Sequence, residues 1–278
     1  MTSKQNYKGK IIRYSGYLIK NENEPGFCPE KYSKFKHGSN NIAREFGYEL
    51  ADRFINECFS KEYAGEQIVI LPSAYSYIPT ASFFMKKHFM DKLNLYLYEN
   101  NYPIVEETKI HRSVTYREDY GEMSAEQRYK LISGDKFHVD KDYLKNKVLL
   151  HLDDIKITGT HEHIIVNMLN EHNITNDCYM LCYAELTNKE IAPSFENYLN
   201  NYFVKSLNDV DTIIREDDFV FNTRVVKLIL NKPASEFDSF IQKREPGFIR
   251  DLYHNAINNE YFKFASYSRN LNELKKVI

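Results

Sequence analysis

Residues 148–165 read VLLHLDDIKITGTHEHII: an apolar run that ends on the adjacent carboxylates Asp153 and Asp154 and then turns through Thr158, Gly159 and Thr160. The first turn of a helix has backbone N–H groups without intrahelical partners, so an anion is attracted there, and small residues let it come close. Thr158 and Thr160 add hydroxyl donors, and Gly159 permits a tight backbone path. Two neighbouring carboxylates are poor company for a phosphate. They suit sugar hydroxyls, which donate to them, or Mg²⁺, which takes oxygen ligands and retains waters. A strand followed by a capped helix would need one Asp or one Thr, not both pairs. The combination points to a sugar phosphate and its metal.

Two further stretches carry candidate chemistry. In LPSAYSYIPTAS, a short apolar strand from Ile68 to Leu71 is stopped by Pro72, and Ser73, Ala74 and Tyr75 form the turn that follows. The polar, aromatic stretch from Lys109 to Gly121 has no clear periodicity and brings the cationic side chains Lys109, His111 and Arg112. His161 and His163 invite a zinc reading, but residues two apart on a helix diverge, so both cannot easily ligate one ion. His161, in the first helical turn, is better placed to touch a phosphate. No Walker-type loop, GxGxxG fingerprint, GxSxG elbow or HExxH pair is present.

The elements that must position these residues alternate between strand and helix. Extended segments are expected over 10–20, broken at Gly16, followed by a loop through Pro25, Gly26 and Pro29. Helical spacing of apolar residues runs from Ile42 to Phe59 and from Thr80 to Leu93, and 95–105 (LYLYENNYPIV) reads as a strand with its loop. Ser124 and Gln127 have capping-box spacing, and Phe137–Val139 suggests a short strand. Lys147–Leu152 is the next strand, His161–Glu171 a helix and CYMLCYAEL a further strand. This alternation predicts an α/β fold with a mostly parallel sheet flanked by helices. After residue 190 the texture turns helical, with Pro193, Pro233 and Pro246 as punctuation. The expected division is an α/β domain over 1–190 and a helical C-terminal extension over 191–278.

Bulk properties narrow the function classes. The chain is 42% hydrophobic and 27% charged, which fits a folded globular protein. A net charge of −2 gives no basic field for duplex nucleic acid. No apolar run approaches the roughly 20 residues that span a bilayer, and no signal peptide is evident. Four cysteines without CxxC spacing read as reduced thiols, so a cytoplasmic location is expected.

At Val148–Thr160 the sequence resembles the type I phosphoribosyltransferases, whose signature is an apolar strand, two acidic residues and a Thr/Gly-rich phosphate loop that opens a helix. Within that superfamily the pattern over roughly residues 30–190 is closest to the ComF-like bacterial members. The resemblance implies binding of 5-phosphoribosyl-1-pyrophosphate (PRPP). Asp153 and Asp154 would hold the ribose hydroxyls and Mg²⁺, and Thr158, Gly159, Thr160 and His161 the 5′-phosphate. Ser73, Ala74 and Tyr75 would face the diphosphate, and Lys109, His111 and Arg112 would close over it. The implied reaction is Mg²⁺-dependent transfer of phosphoribose to a nitrogen acceptor with release of pyrophosphate. Aromatics such as Tyr32, Phe35, Tyr75 and Tyr77 are expected around the acceptor. This chain departs from the pattern at Ile157, where some members carry a catalytic carboxylate, and at His161, where a hydroxyl residue is often found. Alternative readings are a non-catalytic PRPP or nucleotide sensor, and a nucleotide-consuming effector in bacterial stress or phage defence. A homodimer, or a protein partner on the C-terminal helices, is compatible with either.

Overall fold

Strand β6 (Val148–Lys156) has eight consecutive buried positions, the property of a central parallel strand covered on both faces. Its neighbours in the five-stranded sheet follow the order β1-β7-β6-β2-β3, with β1 at Ile11–Ile19, β2 at Ile68–Leu71, β3 at Glu106–Glu107 and β7 at Cys178–Leu186. Every pairing in it is parallel. A separate antiparallel ribbon joins β4 (His111–Arg112) to β5 (Phe137–His138). This computed structural model describes residues 7–71, 73, 75–108, 140–216 and 218–278, and the backbone of 111–112 and 137–138.

Helices α1 (Pro29–Lys36), α2 (Asn40–Glu57) and α3 (Ala81–Glu99) supply the core over one sheet face, where Phe46, Leu50, Phe54 and Phe89 meet Leu150, Leu152 and Tyr183. Over the other face, α4 (Lys141–Leu144) and α5 (Thr160–Glu171) bring Leu144, Ile165 and Leu169 against Leu149 and Cys178. The remaining helices are α6 (Phe195–Asn200), α7 (Leu207–Glu216), α8 (Thr223–Leu230), α9 (Ala234–Ile241), α10 (Pro246–Asn258) and α11 (Ala265–Val277). Helices α7 to α11 share a second core that includes Ile229, Phe237 and Leu252, and Ile78 enters it from the segment after β2. Phe195 and Leu199 of α6 belong instead to the core over the sheet. Among the described residues no helix is long and apolar enough to cross a membrane.

The α/β architecture follows the sequence pattern, and four local differences have physical causes. Strand β6 continues past Leu152 to Lys156 because β7 is equally long, pairing Asp153 with Cys182 and Lys156 with Glu185. The acidic pair therefore sits inside a strand rather than in a loop. Strand β1 runs through Gly16 without a break. The strand expected over 95–105 is the end of α3 followed by a turn. Met85, Phe89, Leu93 and Leu97 recur every four residues and are fully buried, so helical packing overrides the Leu-Tyr-Leu-Tyr alternation. Helix α1 occupies what reads as a loop, with Pro29 at its first turn, Glu30 beside the helix N-terminus and Lys34 and Lys36 in its last turn. The capping-box stretch at Ser124 lies outside the described residues.

The helical reading of 95–99 makes a sharp prediction, because Leu97 is 0% exposed and Leu95 is 58% exposed. On a strand the two would share a face and cost similar amounts. On α3, Leu97→Ala should cost about 2–5 kcal/mol, and Leu95→Ala less than about 0.5 kcal/mol. Urea denaturation of both variants checks this, and equal losses would contradict the helix.

Candidate functional site

From β2 the chain passes through α3 to β3 at one sheet edge, and from β6 it passes through α5 to β7 in the opposite direction. The seam between β2 and β6 is thus the point where strand order reverses, and ligands of open parallel sheets bind beyond the carboxyl ends of such a seam. Leu71 pairs with His151 across it, so the chain leaves β2 after Leu71 and the longer β6 after Lys156, both at the carboxyl end of the sheet. His151 is buried, and its Nδ1 lies 3.2 Å from the Leu71 carbonyl oxygen. Burial keeps its pKa below the ordinary imidazole value.

Consecutive residues of a strand point to opposite faces, and the two carboxylates find different partners. Asp153, on the α5 side, accepts at Oδ2 from Nδ1 of His161 at 2.8 Å, and its Oδ1 accepts from the Asp154 backbone N–H at 2.9 Å. Asp154, on the α1 side, accepts at Oδ2 from the Tyr32 hydroxyl at 2.6 Å and from the Lys36 ammonium. Both carboxylates are buried. Burial alone would raise Asp153, but the charge and hydrogen bond of His161 hold it well below the carboxylate range. Burial raises Asp154, as does the charge of Asp153, against the opposing pull of Lys36. For His161, desolvation acts downward but the Asp153 carboxylate prevails, and its pKa is raised. Tyr32 is pushed far up by burial, with the negative charges of Asp154 and Glu196 adding to it.

The turn into α5 is short and polar. Gly159 is its N-cap with φ of +73°, and no side chain caps the helix. The hydroxyls of Thr158 and Thr160 lie 2.7 Å apart, with Thr158 exposed. Beside them, Lys156 pairs with Glu162 at 2.9 Å and Glu185 at 3.0 Å, and Arg13 pairs with Glu162 at 2.6 Å. On the other side of the seam, Ser73 Oγ accepts from Ser82 Oγ at 3.3 Å, and the Tyr75 ring packs edge-on against Phe83. Ala74 and Lys109 lie outside the described residues, and for His111 and Arg112 only the backbone, in the β4–β5 ribbon, is described.

The acceptor expectation needs correction, and the acidic pair is divided between the two faces of the sheet. Asp153 and Asp154 face opposite sides of the sheet and hold His161 and Lys36, respectively. Among the described residues no group of three or more His, Cys, Asp or Glu side chains could hold a metal. Tyr32 and Phe35 are 0% and 2% exposed, so they are core residues and not acceptor contacts. Tyr77 is 52% exposed.

Sequence reasoning missed the residues that distant elements bring to the acidic pair. Lys36 comes from α1, an element whose only local signals were Pro29 and the charges at its ends. Glu196, buried on α6, acts electrostatically on both Tyr32 and His161. Arg224, at the start of α8, acts on Tyr32. No spacing within 191–278 marks either residue, because their neighbours are set by tertiary packing.

The family model described as PRTase ComF-like matches residues 12–274. The chain belongs to this ComF-like phosphoribosyltransferase family. The match extends through the C-terminal helices, well beyond the residues 30–190 that carry the resemblance in sequence. Among solved structures, the ComF-like chain is similar to a hypoxanthine phosphoribosyltransferase from Staphylococcus aureus, with 14% identity, 55% of this chain and 76% of that one covered, and a TM-score of 0.34. It is similar also to the Trypanosoma cruzi hypoxanthine phosphoribosyltransferase in complex with IMP, with 16% identity, coverages of 53% and 68%, and a TM-score of 0.34. No curated protein matches the sequence significantly.

The Lys36–Asp154 pair is testable by a double-mutant cycle, because the two side chains are only 12% and 8% exposed. Lys36→Met leaves a buried carboxylate uncompensated, and Asp154→Asn leaves a buried ammonium. Each should cost about 3–5 kcal/mol, whereas the double variant should cost clearly less than the sum. Additive losses in urea denaturation would show that the two residues act independently.

Proposed function

We propose that this ComF-like chain binds PRPP across the carboxyl edge of β2 and β6 and transfers its phosphoribose to a nitrogen nucleophile. The bond from C1 to the diphosphate oxygen breaks, a C1–N bond forms, the nucleophile loses a proton, and pyrophosphate leaves. One observation carries this reading: the chain leaves the adjacent parallel strands β2 and β6 at their carboxyl ends, on the two sides of the seam where strand order reverses, with β6 carrying the acidic pair and the turn into α5 beyond the end of β2. Family membership supports the same class of reaction.

In this reading the 5′-phosphate lies at the N-terminus of α5, held by backbone N–H groups and by the hydroxyls of Thr158 and Thr160. Asp153, on the same side of the sheet, receives a ribose hydroxyl. A carboxylate has about four acceptor sites, so the bonds from His161 and Asp154 leave room for it. His161, fixed by Asp153, borders the phosphate. Asp154 is assigned to anchoring α1 through Tyr32 and Lys36. Segment 73–75 faces the diphosphate, and Lys109, His111 and Arg112 are assigned to closing over it.

The transition state of such a transfer is electron-poor at the ribose, so catalysis comes from positioning and from stabilising the departing diphosphate. Ile157 packs partly buried against the core over the sheet, and the position offers no acid–base group. Mg²⁺ coordinated directly by both Asp153 and Asp154 does not fit: the carboxylates face opposite ways and each is already neutralised by a cation of the chain.

A sensing role is the second reading, favoured by Ile157 and by the engagement of Asp154 with Lys36. Incubation with PRPP and a panel of nitrogenous bases separates the two. Pyrophosphate release supports the transferase, and PRPP binding without release supports the sensor. Absence of both sinks the site.

Two binding predictions follow from the α5 turn and the acidic pair. A Cβ on Gly159 would meet only Lys156 Cε, at an ordinary 3.6 Å, so the positive φ of +73° is what a side chain there must strain. Gly159→Val should weaken ribose 5-phosphate binding about tenfold or more, with ribose itself bound equally by both proteins. Unchanged ribose 5-phosphate affinity would make the turn an ordinary helix start. Calorimetric titration of ribose 5-phosphate in Mg²⁺ and in chelator should give the same affinity, and a strong loss in chelator would restore a metal to the pair.

A further inference from the structure

The segment that follows β2 is held by a residue nearly two hundred positions away. Asn259, the C-cap of α10, is 2% exposed. Its Oδ1 accepts from two consecutive backbone N–H groups, those of Tyr77 and Ile78, each at 2.9 Å. Two donors converging on one oxygen fix the orientation of both peptides. Ile78 is fully buried in the core of the C-terminal helices, and the Thr223 N–H at the start of α8 donates to the Pro79 carbonyl at 2.9 Å. The other end of the segment is tied to the sheet by β2. A chain of hydroxyls, Thr80 to Ser82 at 2.9 Å and Ser82 to Ser73 at 3.3 Å, links the clamped end back to position 73.

The same helices hold the element that supports Asp154. The Asn222 amide donates to the Lys36 carbonyl at 3.1 Å. The Val220 N–H donates to the Gly38 carbonyl at 2.9 Å, and the Asn40 N–H to the Asp218 carbonyl at 2.9 Å. Gly38 has φ of +104°, and an added Cβ would come within 2.6 Å of both the Phe219 ring and the Val220 carbonyl oxygen. The C-terminal helices therefore grip the chain just beyond α1 and again at Tyr77–Pro79, in the stretch between β2 and α3.

From this geometry we infer that Asn259 is a positioning residue for the diphosphate-facing segment, and that the C-terminal helices are a working part of the ligand site rather than an appendage. The inference rests on the proposed reading that residues 73–75 face a diphosphate. Backbone N–H groups bind an oxyanion well only when their direction is fixed before the ligand arrives. Loss of the Asn259 acceptor leaves the Tyr77 and Ile78 peptides free to turn, and the preceding turn loses its fixed end. The phosphate cradle at Gly159 is anchored by α5 and does not depend on this clamp.

The test titrates full-length wild type, Asn259→Ala and Asn259→Asp with inorganic pyrophosphate and with ribose 5-phosphate. Asn259→Ala should lose about tenfold in pyrophosphate affinity while ribose 5-phosphate affinity stays within about twofold. Asn259→Asp, which keeps an oxygen acceptor at the same reach, should restore most of the loss. Equal losses for both ligands, no loss for either, or no rescue by Asp would each overturn the inference. Should the alanine variant fail to fold, amide hydrogen exchange of the wild type supplies an independent arm. The Tyr77 and Ile78 amides should exchange slowly without ligand, and exchange at the rate of an exposed loop overturns the clamp. A wild type that binds neither probe removes the functional reading, while the exchange measurement still decides whether Asn259 holds the segment.

Discussion

Two carboxylates on consecutive residues of a buried strand cannot both stay ionised unless cations are brought to them, since desolvation and mutual repulsion both oppose it. Much of the site's architecture answers that constraint. Strand alternation sends Asp153 and Asp154 to opposite faces, so two different helices must supply the compensation. Helix α5 gives His161 to Asp153, and α1 gives Lys36 and Tyr32 to Asp154. The acid pair thus works as a pin through the sheet, with one helix registered on each side. The opposite pKa directions of the two carboxylates are the electrostatic mark of this unequal sharing.

Pinning α1 has a second consequence, because α1 is also where the C-terminal helices attach. Ser33 donates to the Asn200 carbonyl at 2.7 Å and accepts from the Val204 N–H at 3.2 Å, and it lies between Tyr32 and Lys36 on the same short helix. Glu196, on α6, sits in the same electrostatic neighbourhood. A displacement of the C-terminal helices would therefore reach Asp154 through one turn of helix. This packing is consistent with a family model that runs through residue 274, and Phe195 and Leu199, just past residue 190, belong to the core over the sheet.

The parts legible in the sequence were those whose physics is local. The apolar run, Asp153, Asp154 and the Thr158-Gly159-Thr160 turn are contiguous, and their order alone implies a strand end, a turn and a helix start. The parallel sheet followed from continuous apolar runs separated by helical spacing. Illegible were the groups that give the acidic pair its chemistry. Lys36 is 118 residues from Asp154 in sequence, and Asn259 is 181 residues from Ile78. Neither carries a motif, because a lysine near a helix end or an asparagine after a helix is ordinary. The misread strand at 95–105 failed for a related reason: a four-residue apolar repeat continuing from Met85 is stronger than a short alternation, but only when the whole helix is taken as one unit.

Neutralising the acidic pair from within also decides where an anionic ligand is drawn. Asp153 and Asp154 are already met by His161 and Lys36, and Glu196 adds negative charge nearby, so this end of the crevice offers no surplus positive charge. The attraction must come from groups whose polarity is not already spent on carboxylates. One is the uncapped N-terminus of α5, whose peptide dipoles favour an anion. The other, under the proposed function, would be the turn after β2 together with the basic residues that begin at Lys109. Under the proposed function, a sugar phosphate would be oriented by contrast: its phosphate would be drawn to the helix end, while its hydroxyls would meet Asp153, which can accept from donors but repels an anion. That polarity would fix the reacting carbon toward the β2 side of the seam, where a leaving diphosphate has the Asn259-held segment beside it. Orientation by charge contrast of this kind needs no acid–base group at position 157, and isoleucine is compatible with it.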